Sequence, residues 1–176
     1  MKKEMLENFK KNKKLVSLYS NVENKDAFNV GFIVDYDSKF LLLNSISEYG
    51  KYDGILLIYI DDIFRIDIDS NYENKLLRLL NNKEITNYKF KKIGSCIEKL
   101  FNYAKENNSI ISISFFDSDY KSDVIGKVKS YNTNLVEICC YDEYGKVDGI
   151  SYINISEINY ASLDSLDEKM ITNLIK

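Results

Sequence analysis

Tyr49, Lys51 and Asp53 stand in the segment Glu48-Tyr49-Gly50-Lys51-Tyr52-Asp53-Gly54, which returns as Glu143-Tyr144-Gly145-Lys146-Val147-Asp148-Gly149. A phenol, an ammonium and a carboxylate at alternate positions of a loop offer a donor, a cation and an acceptor. That set suits the binding of a polar ligand or a charged protein surface. The glycines allow a plainer reading, in which Gly50 and Gly54 supply positive-φ positions, Asp53 caps the turn, and the segment only joins two strands. Both copies keep the polar residues as well as the glycines. Tyr49, Lys51, Asp53, Tyr144, Lys146 and Asp148 are therefore the candidate binding residues.

Other reactive groupings fall short of a mechanism. The chain has no His, no Pro and no Trp, which removes Ser-His-Asp, Cys-His and His-ligated metal chemistry. Asp67-x-Asp69-x-Asn71 begins like a calcium loop, but Tyr72 stands where that loop needs Gly, and Arg78 where it needs Glu. Asp117-Ser118-Asp119 is equally short of ligands. Carboxylate pairs such as Asp35/Asp37 and Asp61/Asp62 reach acid–base chemistry only if folding converges them in a pocket. No phosphate-binding glycine loop is present. Cys96, Cys139 and Cys140 are an odd count with no C-x-x-C, and read as reduced, mostly buried thiols. No catalytic residue, metal site or cofactor is expected.

The 176 residues carry 24 Lys+Arg against 27 Asp+Glu, a net charge of −3, with 45% hydrophobic and 29% charged residues. This is the composition of a folded protein with a sizeable core, and it speaks against general nucleic-acid binding. Basic residues cluster at Lys2, Lys3, Lys10, Lys11, Lys13 and Lys14, and more weakly at Lys89, Lys91 and Lys92. Only Arg65 and Arg78 could make the bidentate contacts that favour nucleic acid. No apolar run nears the roughly 18 residues of a membrane span, and Glu4, Asn8 and Lys10 interrupt any secretory signal. A cytoplasmic protein is expected. The Lys-, Asn-, Ile- and Tyr-rich usage fits the product of an AT-rich bacterial or phage genome.

These residues must be positioned by a duplicated framework. Residues 48–55 and 143–150 share seven of eight residues at a constant separation of 95, and the register extends without gaps through Gly31/Gly126, Tyr36/Tyr131, Ile58/Ile153 and Ile63/Ile158. Ser70-x-x-Glu73 and Ser165-x-x-Glu168 are capping boxes at the same separation. Each half reads as a short helix, five strands and a closing helix. Strands are expected at 15–20, 28–36, 39–46, 54–60 and 63–68, and again at 110–115, 123–131, 134–141, 149–155 and 158–163. Closing helices are expected at 71–80 and 166–175. The turns fall at Asp37-Ser38, Gly50 to Gly54, and Asp61-Asp62. The domains are 1–81 and 93–176, joined by a polar connector at 82–92.

Five consecutive strands after a helix, a glycine in the second strand and a long loop between strands three and four resemble the Sm/Lsm-like fold. Val16-Ser17-Leu18 through Gly31 to Leu41 looks like its first motif, and Ile58 to Ile66 like its second. The resemblance implies two tandem five-stranded Sm-like barrels, mainly β with short helices (α+β). In that family strands four and five pair across subunits, which implies pairing of the two barrels within the chain and a possible homo-oligomer. RNA-binding members place an Asn where Leu41 and Val136 stand, and Arg-Gly or Lys-Gly where Asp61-Asp62 and Ser156-Glu157 stand. The family's RNA function is therefore not expected to carry over. The reading reached is a non-enzymatic binding or assembly module, acting through protein contacts or a small polar ligand. An RNA-binding protein using its Lys-rich helix, and an enzyme of unknown type, are the alternatives.

Overall fold

The computed structural model describes residues 3–21, 24–80, 88–116 and 124–175. Lys2, Asp117-Ser118-Asp119 and the 82–87 part of the connector lie outside the described residues. The chain divides into two compact units, Met1–Tyr88 and Lys89–Lys176.

In the first unit α1 (Lys3–Lys11) precedes β1 (Leu15–Tyr19), β2 (Asn29–Tyr36), β3 (Phe40–Ile46), β4 (Tyr52–Tyr59), a 3₁₀ turn at Ile60–Asp62, β5 (Arg65–Ile68) and α2 (Asn71–Leu79). The second unit repeats the plan with α3 (Cys96–Glu106), β6 (Ile110–Phe115), β7 (Val124–Tyr131), β8 (Leu135–Tyr141), β9 (Val147–Asn154), a 3₁₀ turn at Ile155–Glu157, β10 (Ile158–Leu163) and α4 (Leu166–Leu174). The protein is thus mainly β with four α-helices among the described residues. Within the units the antiparallel strands run β5-β1-β2-β3-β4 and β10-β6-β7-β8-β9. Neither five-strand set closes on itself, because β4 does not pair with β5, nor β9 with β10. The expected barrel is therefore an open, bent sheet in each unit.

The bend has a local cause. A Cβ on Gly31 would overlap the carbonyl oxygen of Asn44 and stand 2.7 Å from Leu43 Cγ, so only glycine lets β3 approach there. Gly126 is in the same position against Cys139 and Ile138. A bulge follows each glycine, between Ile33 and Asp35 and between Val128 and Ser130, adding twist. Gly31 pairs with Val16 and Ser45, Gly126 with Ile111 and Cys140, so the 95-residue repeat holds register by register.

The apolar core of the first sheet takes Leu15, Val30 and Ile46 from three strands, and Leu76 of α2 closes it. Phe28, Phe32, Tyr52, Tyr72 and Leu80 pack around that cluster. Both closing helices begin with complete capping boxes, on Ser70/Glu73 and Ser165/Glu168. These boxes also reach beyond the helix. Ser17 Oγ of β1 donates to the buried Glu73, and Ser112 Oγ of β6 donates to the buried Glu168 at 2.6 Å. A polar residue inside each first strand thereby ties the closing helix to the sheet.

Candidate functional site

The two candidate loops are tight hairpin turns, shorter than the expected long loop. In the first, Gly50 N–H donates to Ser47 O at 2.9 Å, and Ser47 N–H donates to Lys51 O at 2.8 Å. In the second, Gly145 N–H donates to Asp142 O at 3.0 Å and Asp142 N–H to Lys146 O at 2.9 Å. Gly50 and Gly145 close these turns at φ 71° and 73°, as the last residue of such a hairpin turn requires. Side chains reinforce the turns: Ser47 Oγ accepts from Lys51 N–H, and Asp142 Oδ1 accepts from Tyr144 and Lys146 N–H. Asp53-Gly54 and Asp148-Gly149 lie inside β4 and β9 rather than in the turns. There the ladder slips by one residue, a bulge with glycine at positive φ. The strands consequently start two residues earlier than the sequence pattern suggests.

Each turn also rests on its closing helix. A Cβ on Gly50 would stand 2.5 Å from Leu79 Cβ, and one on Gly145 2.7 Å from the carbonyl carbon of Leu174. Gly50 and Gly145 thus have both conformational and packing roles. The polar residues are displayed instead. Tyr49 is 72% exposed and Tyr144 67%; Lys51, Lys146 and Asp148 are exposed, and Asp53 is half-buried. Tyr49 hydrogen-bonds the Glu48 carboxylate, which pushes its phenol up from the usual value. Tyr49, Lys51 and Asp53 share one hairpin, Tyr144, Lys146 and Asp148 the other.

The remaining acidic candidates do not gather. Asp67 is held by a fork from Arg65, with Nε to Oδ1 at 2.9 Å, and this hydrogen bonding holds its carboxyl below the usual range. Asp69 pairs with Lys14 and Asp35 with Lys10, both at 2.8 Å, so two lysines of the N-terminal cluster are engaged by carboxylates. Asp37 caps its turn by accepting from Lys39 and Phe40 N–H. Among the described residues no group of three or more His, Cys, Asp or Glu could hold a metal, and no helix is long and apolar enough to cross a membrane. Cys96 is buried, Cys139 and Cys140 are half-buried, and none of the three is in a disulfide.

Sequence reasoning missed a second feature of the first unit. Tyr72, Phe28, Tyr19 and Phe64 form a chain of rings with centroids 5.2, 5.0 and 6.3 Å apart. The Arg65 guanidinium lies over Tyr19 at 4.4 Å from the ring centroid. Beside Phe64 and Arg65 runs a groove of about 380 Å³, lined also by Met5, Ile63 and Ile66. Its one sequence signal is asymmetry: Phe64 and Arg65 correspond to Asn159 and Tyr160 in the other copy.

No family model matches the chain, and no curated protein and no solved structure matches it.

Proposed function

We propose that this protein is a non-enzymatic binding and assembly module of two Sm-like units, acting through protein contacts at its sheet edges. The strand order within each unit, the glycine bend in the second strand, the preceding helix and the 3₁₀ turn before the fifth strand support the Sm-like reading. The observation that carries the functional one is β9. It pairs with β8 alone and ends its sheet, yet Ile150 and Tyr152 on it are 55% and 65% exposed. An unpaired edge with apolar side chains invites a partner strand. Tyr144 and Lys146, on the hairpin that leads into β9, add polar contacts to the same end of the strand.

The RNA-binding alternative has less support. Leu41 and Val136, at the positions of the family's pocket residue, are fully buried. Lys10 and Lys14 are paired to carboxylates, and the net charge is negative. A preparation whose 260/280 absorbance ratio is high and falls on washing with salt would favour that alternative.

Light scattering over a concentration series tests the assembly reading. The expected result is a mass above the 20.5 kDa of one chain at high concentration, returning to one chain in Tyr152→Lys. A single-chain mass at every concentration removes self-assembly, and association unchanged by Tyr152→Lys removes β9 as its seat.

A further inference from the structure

β5 and β9 each end a sheet, and the two edges are built in opposite ways. β5 is four residues long, and its Arg65 and Asp67 side chains are ion-paired along it. A short strand that carries charges is guarded against pairing with another chain. β9 is eight residues long, and from Ile150 to Asn154 it reads Ile-Ser-Tyr-Ile-Asn, with no charge. Ile150 and Tyr152 are exposed on one face, while Ile153 is buried on the other.

The backbone of that stretch presents its hydrogen-bonding groups outward. Ile155 N–H donates to Asn134 O at 2.8 Å, and the β8–β9 register runs unbroken from Leu135/Asn154 to Cys139/Ile150. In an antiparallel ladder these groups alternate between the two sides of a strand. The N–H and C=O of Ser151 and Ile153 therefore face β8, and those of Ile150, Tyr152 and Asn154 face away from it.

We propose that β9 pairs with β9 of a second copy, antiparallel about a two-fold axis at Ser151; this rests on the assembly reading above. The choice of axis follows from the side chains. An axis at Ile150 would set Tyr152 against the partner's Asp148. An axis at Tyr152 would set Ile150 against the partner's Asn154. The Ser151 axis sets Ile150 against the partner's Tyr152, and Tyr152 against the partner's Ile150. Each exposed apolar side chain then meets another, in the β-branched–aromatic pairing that stabilises antiparallel sheets. The outward N–H and C=O groups of Ile150 and Tyr152 exchange both hydrogen bonds of each such pair. Pairing with β5 of another copy would instead lay the two apolar residues beside Arg65 and Asp67. The two-fold contact uses the same edge of each chain, so it closes at two chains.

Disulfide trapping reads this register directly. Cys139 stands opposite Ile150 and Cys140 Sγ lies 3.2 Å from Ser151 Oγ, so the variants are made with Cys139→Ser and Cys140→Ser. Cys96 is buried and stays. Opposed residues of an antiparallel pair lie about 4.5–5.5 Å apart at Cα, within reach of a disulfide, and diagonal neighbours lie about 7–8 Å apart, beyond it. The full chain is oxidised with oxidised glutathione at a concentration where light scattering gives a mass above 20.5 kDa. Ser151→Cys is expected to link two chains. Ile150→Cys mixed with Tyr152→Cys should give several-fold more linked dimer than either variant alone. Thermal unfolding confirms that each variant is folded. Assembly with no linked Ser151→Cys dimer, or Ile150→Cys linking to itself as readily as to Tyr152→Cys, would overturn the two-fold register and leave the assembly reading standing. A mass above that of two chains would overturn closure. A single-chain mass at every concentration would remove this proposal and the assembly reading together.

Discussion

Ile55 and Ile150 hold the same place in their units, each opposite the third strand of its sheet, paired with Asn44 and Cys139. Ile55 is fully buried and Ile150 is more than half exposed. The neighbouring cross-strand pairs on the same faces diverge in the same sense: Phe40/Tyr59 and Leu42/Leu57 in the first unit, Leu135/Asn154 and Glu137/Tyr152 in the second. In the first unit Phe40 to Leu43 of β3 and Ile55 to Ile58 of β4 are apolar and buried on both faces, a run only a strand covered on both sides sustains. In the second, Glu137 accepts from Ser130 Oγ at 2.7 Å and from Tyr152 OH at 3.4 Å, a face written for water or a polar partner. One strand plan thus serves two environments, and the side chains of β3, β4, β8 and β9 differ accordingly.

The largest effect expected from this comparison comes from placing the same charge at both sites. Ile55→Lys buries an unpaired ammonium and should destabilise by more than about 4 kcal/mol, enough to unfold the first unit. Ile150→Lys should change stability by no more than about 0.5 kcal/mol. Urea titration followed by circular dichroism measures both; equal losses would mean that β9 is covered.

Next in size are the glycines. Gly31→Ala and Gly126→Ala force a Cβ into the backbone of the facing strand, and each should cost roughly 2–4 kcal/mol. Gly149, at φ 88° with no atom within 4 Å of an added Cβ, carries only the backbone penalty, so Gly149→Ala should cost about 1–2 kcal/mol. If Gly149→Ala costs as much as Gly126→Ala, the steric account of the bend fails.

Much of this framework was legible in the sequence. Strand period, capping boxes and the 95-residue repeat placed every helix and strand, because each rests on local chemistry. The open sheet was not legible, since closure depends on whether the first and last strands of a unit meet. Asp53-Gly54 was misplaced in a loop because a glycine at positive φ serves a turn and a bulge equally well. The Phe64 groove escaped for a different reason. It is assembled from α1 and the segment from Ile63 into β5, 61 residues separating Met5 from Ile66, and no local pattern joins them. The repeated segment marks two hairpin turns, but the sequence does not separate their packing glycines from their displayed side chains.

A smaller effect distinguishes the buried carboxylates. Glu168 accepts from two serines, Ser112 and Ser162, both at 2.6 Å, whereas Glu73 accepts from Ser17 and has Asp67 where Ser162 would be. Burial pushes the Glu73 carboxyl up, but hydrogen bonds from Ser17 and Ser70 outweigh it and hold the group below its ordinary value. A lowered folded value means that the ionised form stabilises the fold. That stability is complete above the ordinary Glu range and is lost as pH falls through the lowered value. Glu73→Gln should therefore cost about 1–2 kcal/mol at neutral pH and flatten the acid limb of the stability profile. An unchanged acid limb would show that Ser17 and Ser70 do not favour the ionised form. Ser162→Ala should weaken the second unit by about 1 kcal/mol, a loss with no equivalent in the first.

The smallest expected effect has the opposite sign. Asp69 and Asp164 occupy equivalent positions between the fifth strand and the closing helix, both left-handed, at φ 55° and 58°. Asp69 is exposed and salt-bridged to Lys14, whereas Asp164 is half-buried and has Ser109 at the position equivalent to Lys14. Burial raises the Asp164 carboxyl despite the Ser109 hydrogen bond, with Lys169 lowering it and Glu168 raising it further. A raised folded value means that ionisation opposes folding, so the penalty is absent at low pH and develops as pH rises past the ordinary Asp range. Asparagine tolerates the left-handed backbone and can still accept from Ser109, but carries no charge. Asp164→Asn should consequently stabilise the protein by about 0.5 kcal/mol at neutral pH, and by nothing at acid pH. The same change at Asp69 gives up an exposed ion pair and should be neutral or lose up to about 0.5 kcal/mol. Thermal unfolding of both variants at acid and neutral pH decides the matter. A loss at Asp164 equal to that at Asp69 would mean that the two ends of the repeat hold their carboxylates alike.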